Sequence, residues 1–393
     1  MALNKFYQRF QLDTSLTDQT GFNPYYREMQ SGLSDKMLID RAEFINLASN
    51  NYLGLADDDR VKGASMKAIE KYGVSLCGTP IATGYIDLYK TLEERLARLT
   101  GLESAIIFPS CYQANNGLFS GLAGREDLIV IDHFAHSSLV QGARLGGSRI
   151  RPFLHNKLDH LRVILEKSLN KYRQVFIVTE SVFSTDGSIA PIKEIVDLAE
   201  KFHAVPVIDD SHGIGVLGKK GGGILEEVGL TGFPGIYTAS LGKALANAGG
   251  MIGGRKDLIN YLRFYCPHLV YSTALPPSVL GGITKVLDII EEDFPQIKAR
   301  LWKYKSLLSK GLASAGFKLA EGKAPIISIC TGNSEDTIRL AKRFYKNQVL
   351  TTPFIPPSVP VNEGKVRVIA GANLREETIN QFLEIIKKIG YEQ

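Results

Sequence analysis

Two short segments of the chain contain side chains whose types and spacing suit covalent chemistry. In residues 237–245, Lys243 lies between small residues and before what reads as a helix start. In residues 208–212, Asp209 ends an apolar run and His212 follows shortly after it. A lysine without bulky neighbours can reach an aldehyde and form a Schiff base. An aspartate at the end of a buried parallel strand lies where such sheets bind their ligands.

Together, the lysine and the aspartate predict pyridoxal phosphate (PLP) as the cofactor. Lys243 would hold its aldehyde. Asp209 would pair with the ring nitrogen, keep it protonated and so keep the ring an electron sink. Each residue alone has an ordinary alternative, a solvated surface lysine or an aspartate that caps a strand end. The order and spacing of the two favour the cofactor.

A phosphate seat is predicted where residues 110–115 follow a strand and open a helix. The backbone N–H groups of Ser110, Cys111 and Tyr112 and the positive end of the helix dipole would face the phosphate. Ser240, shortly before the lysine, could add a hydroxyl group.

Three more polar side chains are predicted to line the same crevice, because they lie at or after the ends of predicted strands. His136 lies just past a strand end, where its imidazole could stack on a flat ring; the alternative is a histidine satisfied within a loop. His212 could donate to the phenolic oxygen of the cofactor, and Glu180 ends another apolar strand.

The composition is that of an ordinary globular, enzyme-sized protein of 393 residues. The formal net charge of +5 is spread along the chain without a basic block, so no nucleic-acid partner is predicted. The first residues lack the pattern of a signal peptide, and no apolar run approaches the roughly 20 residues that a membrane span needs. We therefore expect a soluble, cytoplasmic protein without an integral membrane segment.

The cysteines are widely separated and form no C-x-x-C pair, so neither a metal site nor a disulfide framework is predicted. Cys111 has two interpretations. It is either a thiol with a lowered pKa at a helix N-terminus or a small buried hydrophobe, and we favour the second. The predicted free thiols are Cys77, Cys111, Cys266 and Cys330.

From Ser104 onward, short apolar runs alternate with helix-length amphipathic segments. This alternation predicts an α/β fold with a doubly wound, mostly parallel central sheet and functional side chains at the carboxyl ends of its strands. The predicted strands are residues 105–108, 128–131, 175–178 and 205–208, and the predicted helices are residues 158–168 and 192–202.

Three parts are predicted along the chain. Residues 1–50 are an N-terminal arm, residues 51–285 a large cofactor-binding domain and residues 286–393 a smaller α+β C-terminal domain. A helix over residues 279–293 leads into the smaller domain, where strand-like pieces mix with helices. Those pieces are residues 325–330 and 366–369.

With these residues in view, the chain resembles the α-oxoamine synthases, a branch of the fold type I, aspartate-aminotransferase-like enzymes that use PLP. The resemblance runs from about Asn46 to the C-terminus. So many motifs in one order are specific for the family and much less specific for the substrate. The matching motifs are residues 49–55, 179–187, 209–213, 240–243, 272–277 and 356–360.

The resemblance implies decarboxylative condensation of a small α-amino acid with an acyl thioester, which gives an α-amino ketone, carbon dioxide and a free thiol. It implies that Lys243 removes the Cα proton, that His136 assists the thioester carbonyl and that Arg367 grips the amino-acid carboxylate. Asn50 and Ser358, which lie in matching motifs, are predicted to contact the substrate.

The resemblance also implies an obligate homodimer with shared active sites. In such a dimer Ser272 and Thr273 would reach the phosphate bound by the other subunit. Residues 134–162 resemble the bacterial autoinducer synthases, and residues 24–27 resemble bacterial serine palmitoyltransferases. The acyl donor stays open between a coenzyme A thioester and an acyl carrier protein.

The chain departs from the family pattern at positions that we assign to the acyl side. An arginine, two histidines and a further arginine that are common in relatives are replaced. These departures weaken the transfer of a specific role in biotin synthesis or threonine catabolism, and the amino acid and acyl length stay open. The departures are at Gly78-Thr79-Pro80, Tyr89, Ile355 and Asn373.

Three other interpretations compete with this one. Residues 213–218 satisfy the G-x-G-x-x-G pattern of a dinucleotide-binding dehydrogenase, but a glycine-rich loop follows them where a helix should begin. An aminotransferase of the same fold would need no thioester. A non-enzymatic regulator could keep the fold, but it would not need the full set of site residues named above.

Overall fold

The computed structural model describes residues 2–390, and a sheet of seven strands lies at its centre. Two smaller sheets have three strands each. The strands are β1 (Lys36–Ile39), β2 (Ala42–Asn46), β3 (Ser104–Phe108), β4 (Leu128–Asp132), β5 (Arg149–Phe153), β6 (Val175–Glu180), β7 (Val205–Asp209), β8 (Ile236–Ser240), β9 (Gly250–Gly254), β10 (Ile326–Gly332), β11 (Val349–Leu350), β12 (Thr352–Phe354) and β13 (Gly364–Ile369).

The central sheet has the strand order β3-β9-β8-β7-β6-β4-β5, and β9 is antiparallel to both of its neighbours. The other neighbouring pairs are parallel, so the predicted α/β fold with a mostly parallel sheet is confirmed. The strands predicted at β3, β4, β6 and β7 are confirmed. Their apolar runs are continuous because these strands are buried on both faces. The sequence prediction misses β5, which is largely exposed, and β8 and β9, which contain hydroxyl residues and glycines.

Helices cover both faces of the central sheet, and the apolar side chains between the layers form two cores. No helix within residues 2–390 is long and apolar enough to cross a membrane. The helices are α1 (Ala2–Tyr7), α2 (Ser15–Thr20), α3 (Asp59–Tyr72), α4 (Asp87–Thr100), α5 (Cys111–Leu122), α6 (Ser137–Leu145), α7 (Leu158–Ser168), α8 (Ile192–Lys201), α9 (Ile224–Glu227), α10 (Lys256–Tyr265), α11 (Pro267–Val270), α12 (Pro277–Ser314), α13 (Ser334–Lys346) and α14 (Glu376–Gly390), with a π-helical turn at Pro80–Gly84.

The helices confirm two predictions and extend a third. The predicted helices at α7 and α8 are confirmed. The helix predicted over residues 279–293 is part of the longer α12, which continues past Pro295. A proline inside a helix removes one backbone hydrogen bond and usually kinks or ends the helix. Here Phe294 and Ile297, on either side of the proline, are buried in the core, and we attribute the continuation to that burial.

The two smaller sheets join distant parts of the chain. β2 pairs with β1 and also, in parallel, with β11, so the N-terminal arm is tied to the last third of the chain. β13 lies between β10 and β12 and is antiparallel to both, which confirms the strands predicted at residues 325–330 and 366–369. The predicted division after residue 285 falls inside α12. The domain bounds and the cytoplasmic location stay predictions.

Candidate active site

Polar side chains follow one another along the carboxyl edge of the central sheet. Glu180 ends β6, Asp209 ends β7 and Ser240 ends β8. In the sheet register Glu180 lies beside Asp209, and Asp209 lies beside Thr238. Neighbours in register project from the same face of a sheet, so these side chains line one surface. The side chains predicted at the strand ends therefore share one surface of the sheet.

Asp209 is a buried carboxylate held by two donors. Asn115 on α5 donates through Nδ2 to Oδ2 at 2.7 Å, and the backbone N–H of Ser211 donates to Oδ1 at 3.0 Å. The same Asn115 amide donates to Ser138 Oγ at 2.9 Å, and Ser138 Oγ lies 2.8 Å from His136 Nδ1. One amide thus links the aspartate to the loop that carries the predicted stacking histidine.

The adjacent Asp210 has a different set of partners. It accepts hydrogen bonds from Ser181 Oγ, from Tyr237 Oη at 2.8 Å and from the N–H of Ile224 at 2.8 Å. Burial raises the pKa of Asp210 to about 7. Its contacts fix the turns between β7 and α9, and the first helix after residues 213–218 is the short α9. The dehydrogenase interpretation, which needs a helix directly after the glycines, is not supported.

Lys243 lies in a loop between β8 and β9, so the prediction of a helix start beside it is wrong. Ala246 has a φ of 56°, in the left-handed region, which does not continue a right-handed helix. The Nζ atom of Lys243 lies 2.7 Å from His212 Nε2. Burial lowers the pKa of Lys243, although Asp209 acts in the opposite direction. Within residues 2–390, Lys243 forms no ion pair with a carboxylate.

His212 connects the lysine to a residue that the sequence interpretation did not assign to the site. Its Nδ1 lies 2.7 Å from Tyr52 Oη, and both side chains are buried. Burial lowers the pKa of His212 well below its usual value and raises that of Tyr52. Asn50, predicted to contact substrate, has its Oδ1 3.5 Å from Tyr52 Oη. The only sequence indication for Tyr52 is its place in the matching motif at residues 49–55.

The predicted phosphate seat lies at the first turn of α5. Ser110 is the N-cap residue, and its Oγ accepts from the N–H of Gln113 at 3.1 Å. The N–H groups of Cys111 and Tyr112 belong to the first turn, which has no preceding carbonyl to satisfy them within the helix. A Cβ at Gly250 would lie 2.4 Å from the nitrogen of Cys111, so the seat rests directly on the backbone of β9.

Cys111 is part of this turn, and its thiol contacts the site. Its Sγ lies 3.3 Å from Ser211 Oγ. Burial, and next the charge of Asp209, raises the pKa of this thiol. The hypothesis of a lowered pKa is therefore wrong, because desolvation and a neighbouring carboxylate outweigh the helix terminus. The favoured interpretation, a small buried hydrophobe, agrees with the geometry in part, because the residue is half-buried.

His136 and Glu180 meet where β6 and the loop before α6 come together. His136 caps α6 and its side chain is exposed, which leaves its ring open to a flat partner. Its backbone N–H donates to the Glu180 carboxyl group. Burial and the nearby Asp209 raise the pKa of Glu180 well above its usual value. Glu180 therefore takes up a proton more readily here than an exposed glutamate would.

Arg367 is a buried guanidinium in the middle of β13, with 6% of its surface exposed. Its Nη1 donates to the carbonyl of Ser184 at 2.9 Å, and its Cζ lies 4.8 Å from the ring centre of Phe354. Its Nε is buried without a partner, and within residues 2–390 it forms no ion pair. Burial lowers its pKa. A buried cation of this kind is costly unless an anion pairs with it, so a ligand anion is expected here.

Other predicted site residues lie at the edge of this arrangement. Ser272 Oγ accepts from Gln113 Nε2 at 3.1 Å, beside the phosphate seat of its own chain. Thr273 is exposed, as is the side chain of Tyr112. Ser358 is exposed in the loop after β12, and its N–H donates to the carbonyl of Ile355 at 2.9 Å. Their roles toward substrate or a second subunit stay predictions.

Two of the departures from the family pattern occupy packed positions. Tyr89 is buried and its Oη accepts from the N–H of Leu275 at 2.6 Å. Asn373 lies against Gly54, where a Cβ would come within 2.4 Å of the asparagine Cβ. Ile355 is half-buried. Tyr89 therefore holds the segment that carries Ser272, and Asn373 holds the loop that carries Tyr52.

The described residues fit PLP in three respects. Lys243 offers a buried amine for its aldehyde, Asp209 a carboxylate for its ring nitrogen and the first turn of α5 donors for its phosphate. Two buried oxygens on the same surface, Thr238 Oγ1 and Asn115 Oδ1, have no partner in the described chain and are available to a bound group. The fold and the site thus define a PLP enzyme of fold type I.

Comparison with known proteins gives the same answer. The family model for aminotransferase class I and II matches residues 42–386. The chain is 34% identical to 8-amino-7-oxononanoate synthase of Symbiobacterium thermophilum, over 95% of each chain, and 32% identical to that of Alkaliphilus oremlandii, over 90% of each. The chain belongs to the aminotransferase class I and II family and, within it, to the α-oxoamine synthases, which are PLP-dependent acyltransferases.

Solved structures of this family superpose closely. A serine palmitoyltransferase of Sphingomonas wittichii has a TM-score of 0.92 and 28% identity, with 96% of this chain and 95% of that chain covered. An 8-amino-7-oxononanoate synthase of Francisella tularensis has a TM-score of 0.75 and 27% identity, with 89% and 98% covered. The enzyme therefore joins an amino acid to an acyl thioester.

Proposed function

We propose that the enzyme condenses a small α-amino acid with an acyl thioester, with loss of carbon dioxide and release of the thiol, and that Arg367 binds the amino-acid carboxylate. The observation that carries the proposal is the buried guanidinium of Arg367, whose Nε has no partner. A carboxylate would supply the missing negative charge and accept from Nε in the planar geometry that arginine favours.

Lys243 is the proposed base. When bound, PLP supplies an electron sink for the electron pair left at the amino-acid Cα. The amine of Lys243, whose pKa burial lowers, takes the Cα proton at Nζ, and the C–H bond breaks. Cα then bonds to the thioester carbonyl carbon as the C–S bond breaks, and the thiolate that leaves takes a proton from solvent. The bond to the carboxylate carbon breaks as carbon dioxide leaves, and Lys243 returns the proton to Cα.

Asp209 and His136 are proposed to orient the cofactor. Asn115 and the N–H of Ser211 fix the orientation of the Asp209 carboxylate, which would pair with the ring nitrogen of the cofactor. The exposed ring of His136 would stack on the ring of the cofactor and assist the thioester carbonyl. Ser110, Cys111 and Tyr112 hold the phosphate, together with Ser240 at the end of the neighbouring strand.

A homodimer with shared active sites is supported by an exposed apolar surface beside Ser272. A monomer seldom leaves so many large apolar side chains in water on one surface, and such a patch usually marks an interface. The patch lies around the loop that precedes Ser272 and would place Ser272 and Thr273 near a second subunit. Its exposed members are Ile81, Tyr85, Phe264, Tyr265 and Tyr271.

Two substrate pairs follow from the relatives. The curated relatives named 8-amino-7-oxononanoate synthase favour alanine with a pimeloyl thioester. The closer superposition on serine palmitoyltransferases, a TM-score of 0.92 against 0.75, favours serine with a long acyl chain. The departures from the family pattern favour neither pair, so both are tested. The thiol part of the acyl donor is either coenzyme A or an acyl carrier protein.

The test is a matrix of amino acids against acyl thioesters. Purified enzyme with PLP is mixed with glycine, alanine, serine or threonine and with acyl-CoAs of rising length, including pimeloyl-CoA, and thiol release is followed. One amino acid with one range of chain lengths should release thiol. Release from no pair, with amino transfer to a keto acid instead, would make the enzyme an aminotransferase. Arg367→Lys is the matched variant, and it should raise the KM for the amino acid.

A further inference from the structure

Tyr52, His212 and the half-buried Lys243 form a continuous row of polar side chains that the proposed reaction uses only in part. Tyr52 Oη lies 2.7 Å from His212 Nδ1, and His212 Nε2 lies 2.7 Å from Lys243 Nζ. Tyr52 and His212 are 0% and 4% exposed. Both ring nitrogens of the histidine are therefore engaged, one by a phenol and one by the amine that would hold the cofactor.

The position of Tyr52 is fixed by packing on the last third of the chain. Its carbonyl accepts from the N–H of Ala372 at 2.8 Å. Gly54, two residues later, has a φ of 74° and lies against Asn373 so closely that a side chain would not fit. The tyrosine ring meets the His212 ring edge-on, with 6.0 Å between centroids. The phenol therefore has little freedom to turn away from the imidazole.

The direction of the hydrogen bonds follows from the acceptors within reach of the phenol. Burial raises the pKa of Tyr52, so the phenol keeps its proton. Its possible acceptors are His212 Nδ1 at 2.7 Å and Asn50 Oδ1 at 3.5 Å, and the shorter contact is far stronger. Burial keeps His212 neutral, so a ring that accepts at Nδ1 carries its one proton at Nε2. That proton points at Lys243 Nζ, which can accept it only with a free lone pair.

We propose that Tyr52 is a positioning residue that fixes the Nε2–H form of His212, and that this form holds Lys243 as a neutral, reactive amine ready to capture the cofactor. The proposal rests on the role of Lys243 given under the proposed function and adds the residue that sets its protonation state. The other titratable groups that act on Lys243 are Asp209, Glu180, Cys111, Arg367 and His136. None of them is replaced in the tests below, so their effect on the amine is common to all variants.

The first test reads the proton directly. The full chain, purified without cofactor and labelled with nitrogen-15 in histidine, is examined by NMR at pH 8, and His212→Gln assigns the His212 signals. The expected spectrum has Nδ1 as an unprotonated acceptor and Nε2 as a protonated nitrogen. Asn50→Ala removes the competing acceptor and should leave this spectrum unchanged. A proton on Nδ1 of His212 in the wild-type protein would overturn the proposal, whether or not Asn50→Ala removes it.

The second test measures how the amine behaves. The rate at which the cofactor-free protein captures PLP is followed against pH by absorbance. In Tyr52→Phe, His212 can accept from a protonated amine, so the midpoint should move up by about one pH unit. Tyr89→Phe is the matched control, since Tyr89 is equally buried but contacts Leu275, and its midpoint should match that of wild type. An unchanged midpoint in Tyr52→Phe would overturn the proposal.

The two outcomes separate this proposal from the proposed function. Neither the NMR spectrum nor the capture midpoint requires turnover. If His212 has the Nε2–H form but the enzyme releases no thiol, the proposed function is contradicted and this proposal is not. A fall in PLP affinity with an unchanged midpoint would show that Tyr52 only supports the fold.

Discussion

The two sides of the site differ in how firmly the protein holds their ionisable groups, although Thr238 Oγ1 and Asn115 Oδ1 on the sheet edge also have no partner. On the edge of the central sheet, Asp209 has two donors and His212 has a partner at each ring nitrogen. On β13, Arg367 has one carbonyl partner and a buried Nε without any. Groups that are fixed before binding favour a resident ligand, because little reorganisation remains to be done. The sheet edge thus suits a cofactor that stays, and Arg367 suits a substrate anion that comes and goes.

The largest effect is expected at the sheet edge, for Lys243→Ala. Loss of the amine removes both the cofactor link and the base, so thiol release should fall by at least about a thousandfold. The exposed Lys219 offers a matched control, and Lys219→Ala should keep normal rates. Thiol release and thermal unfolding would be measured on both. Near-normal turnover in a folded Lys243→Ala protein would show that the lysine takes no part in the mechanism.

The paired aspartates allow a sharper comparison within the sheet edge. Asp209→Asn keeps the shape but loses the charge that holds the ring proton, so kcat should fall by about a hundredfold or more. Asp210→Asn serves as the control, since Asp210 contacts only structural donors, and it should keep most of the activity. Steady-state kinetics on both variants would decide. Equal losses of kcat would show that the two carboxylates are not functionally distinct.

Asp210 also predicts a pH effect on stability. Its folded pKa, about 7, lies above the unfolded value, so the folded state favours the protonated form. The stability that it contributes is complete below about pH 4 and is lost as the pH rises towards 7. Asp210→Asn, which cannot titrate, should flatten the dependence of unfolding free energy on pH over this range. Urea unfolding at several pH values would measure it, and an unaltered slope would contradict the assignment.

The substrate side is tested by Arg367→Lys. A lysine keeps the charge but loses the planar fork, and hydrogen bonds to charged groups contribute about 1.5–3 kcal/mol. The KM for the amino acid should therefore rise about 10- to 100-fold. PLP binding, which depends on the other side of the site, should be unchanged in the same protein. If the variant loses the binding of both PLP and the amino acid, the two sides of the site do not act separately.

The smallest functional effect is expected for Tyr89→Phe, because the hydrogen bond that it removes joins Tyr89 to the backbone N–H of Leu275. It leaves the buried N–H of Leu275 without its acceptor, at a cost of about 1–3 kcal/mol in unfolding free energy. The kcat/KM should stay within about twofold of wild type. Chemical unfolding and steady-state kinetics would measure these two quantities. A large loss of activity with normal stability would place Tyr89 in the substrate site.

The sequence predicts the parts of the fold that carry a continuous pattern. β4, β6 and β7 are unbroken apolar runs, and their ends locate Asp209 and Glu180 correctly. β8 and β9 contain hydroxyl residues and glycines, and Gly250 packs closely on the first turn of α5, so their apolar pattern is weak. The helix predicted at Lys243 fails because small residues also suit a loop, and the backbone at Ala246 turns left-handed.

Contacts between distant residues were the part that the sequence did not predict. Tyr52 and His212 are 160 positions apart, and only the packing of residues 371–373 on the Tyr52 loop brings them together. The position of Arg367 follows from the family resemblance, but its unsatisfied Nε is a property of the folded chain. The raised pKa of Cys111 likewise depends on burial that a helix-start pattern does not reveal.

The most direct test of the central claim is the stoichiometry of one reaction. Enzyme with PLP is given an amino acid labelled in its carboxyl group together with the acyl thioester that reacts best, and labelled carbon dioxide and free thiol are counted. The account predicts equal amounts of both, with neither formed by Lys243→Ala. Thiol release without carbon dioxide, or transfer of the amino group to a keto acid with the label retained, would contradict it.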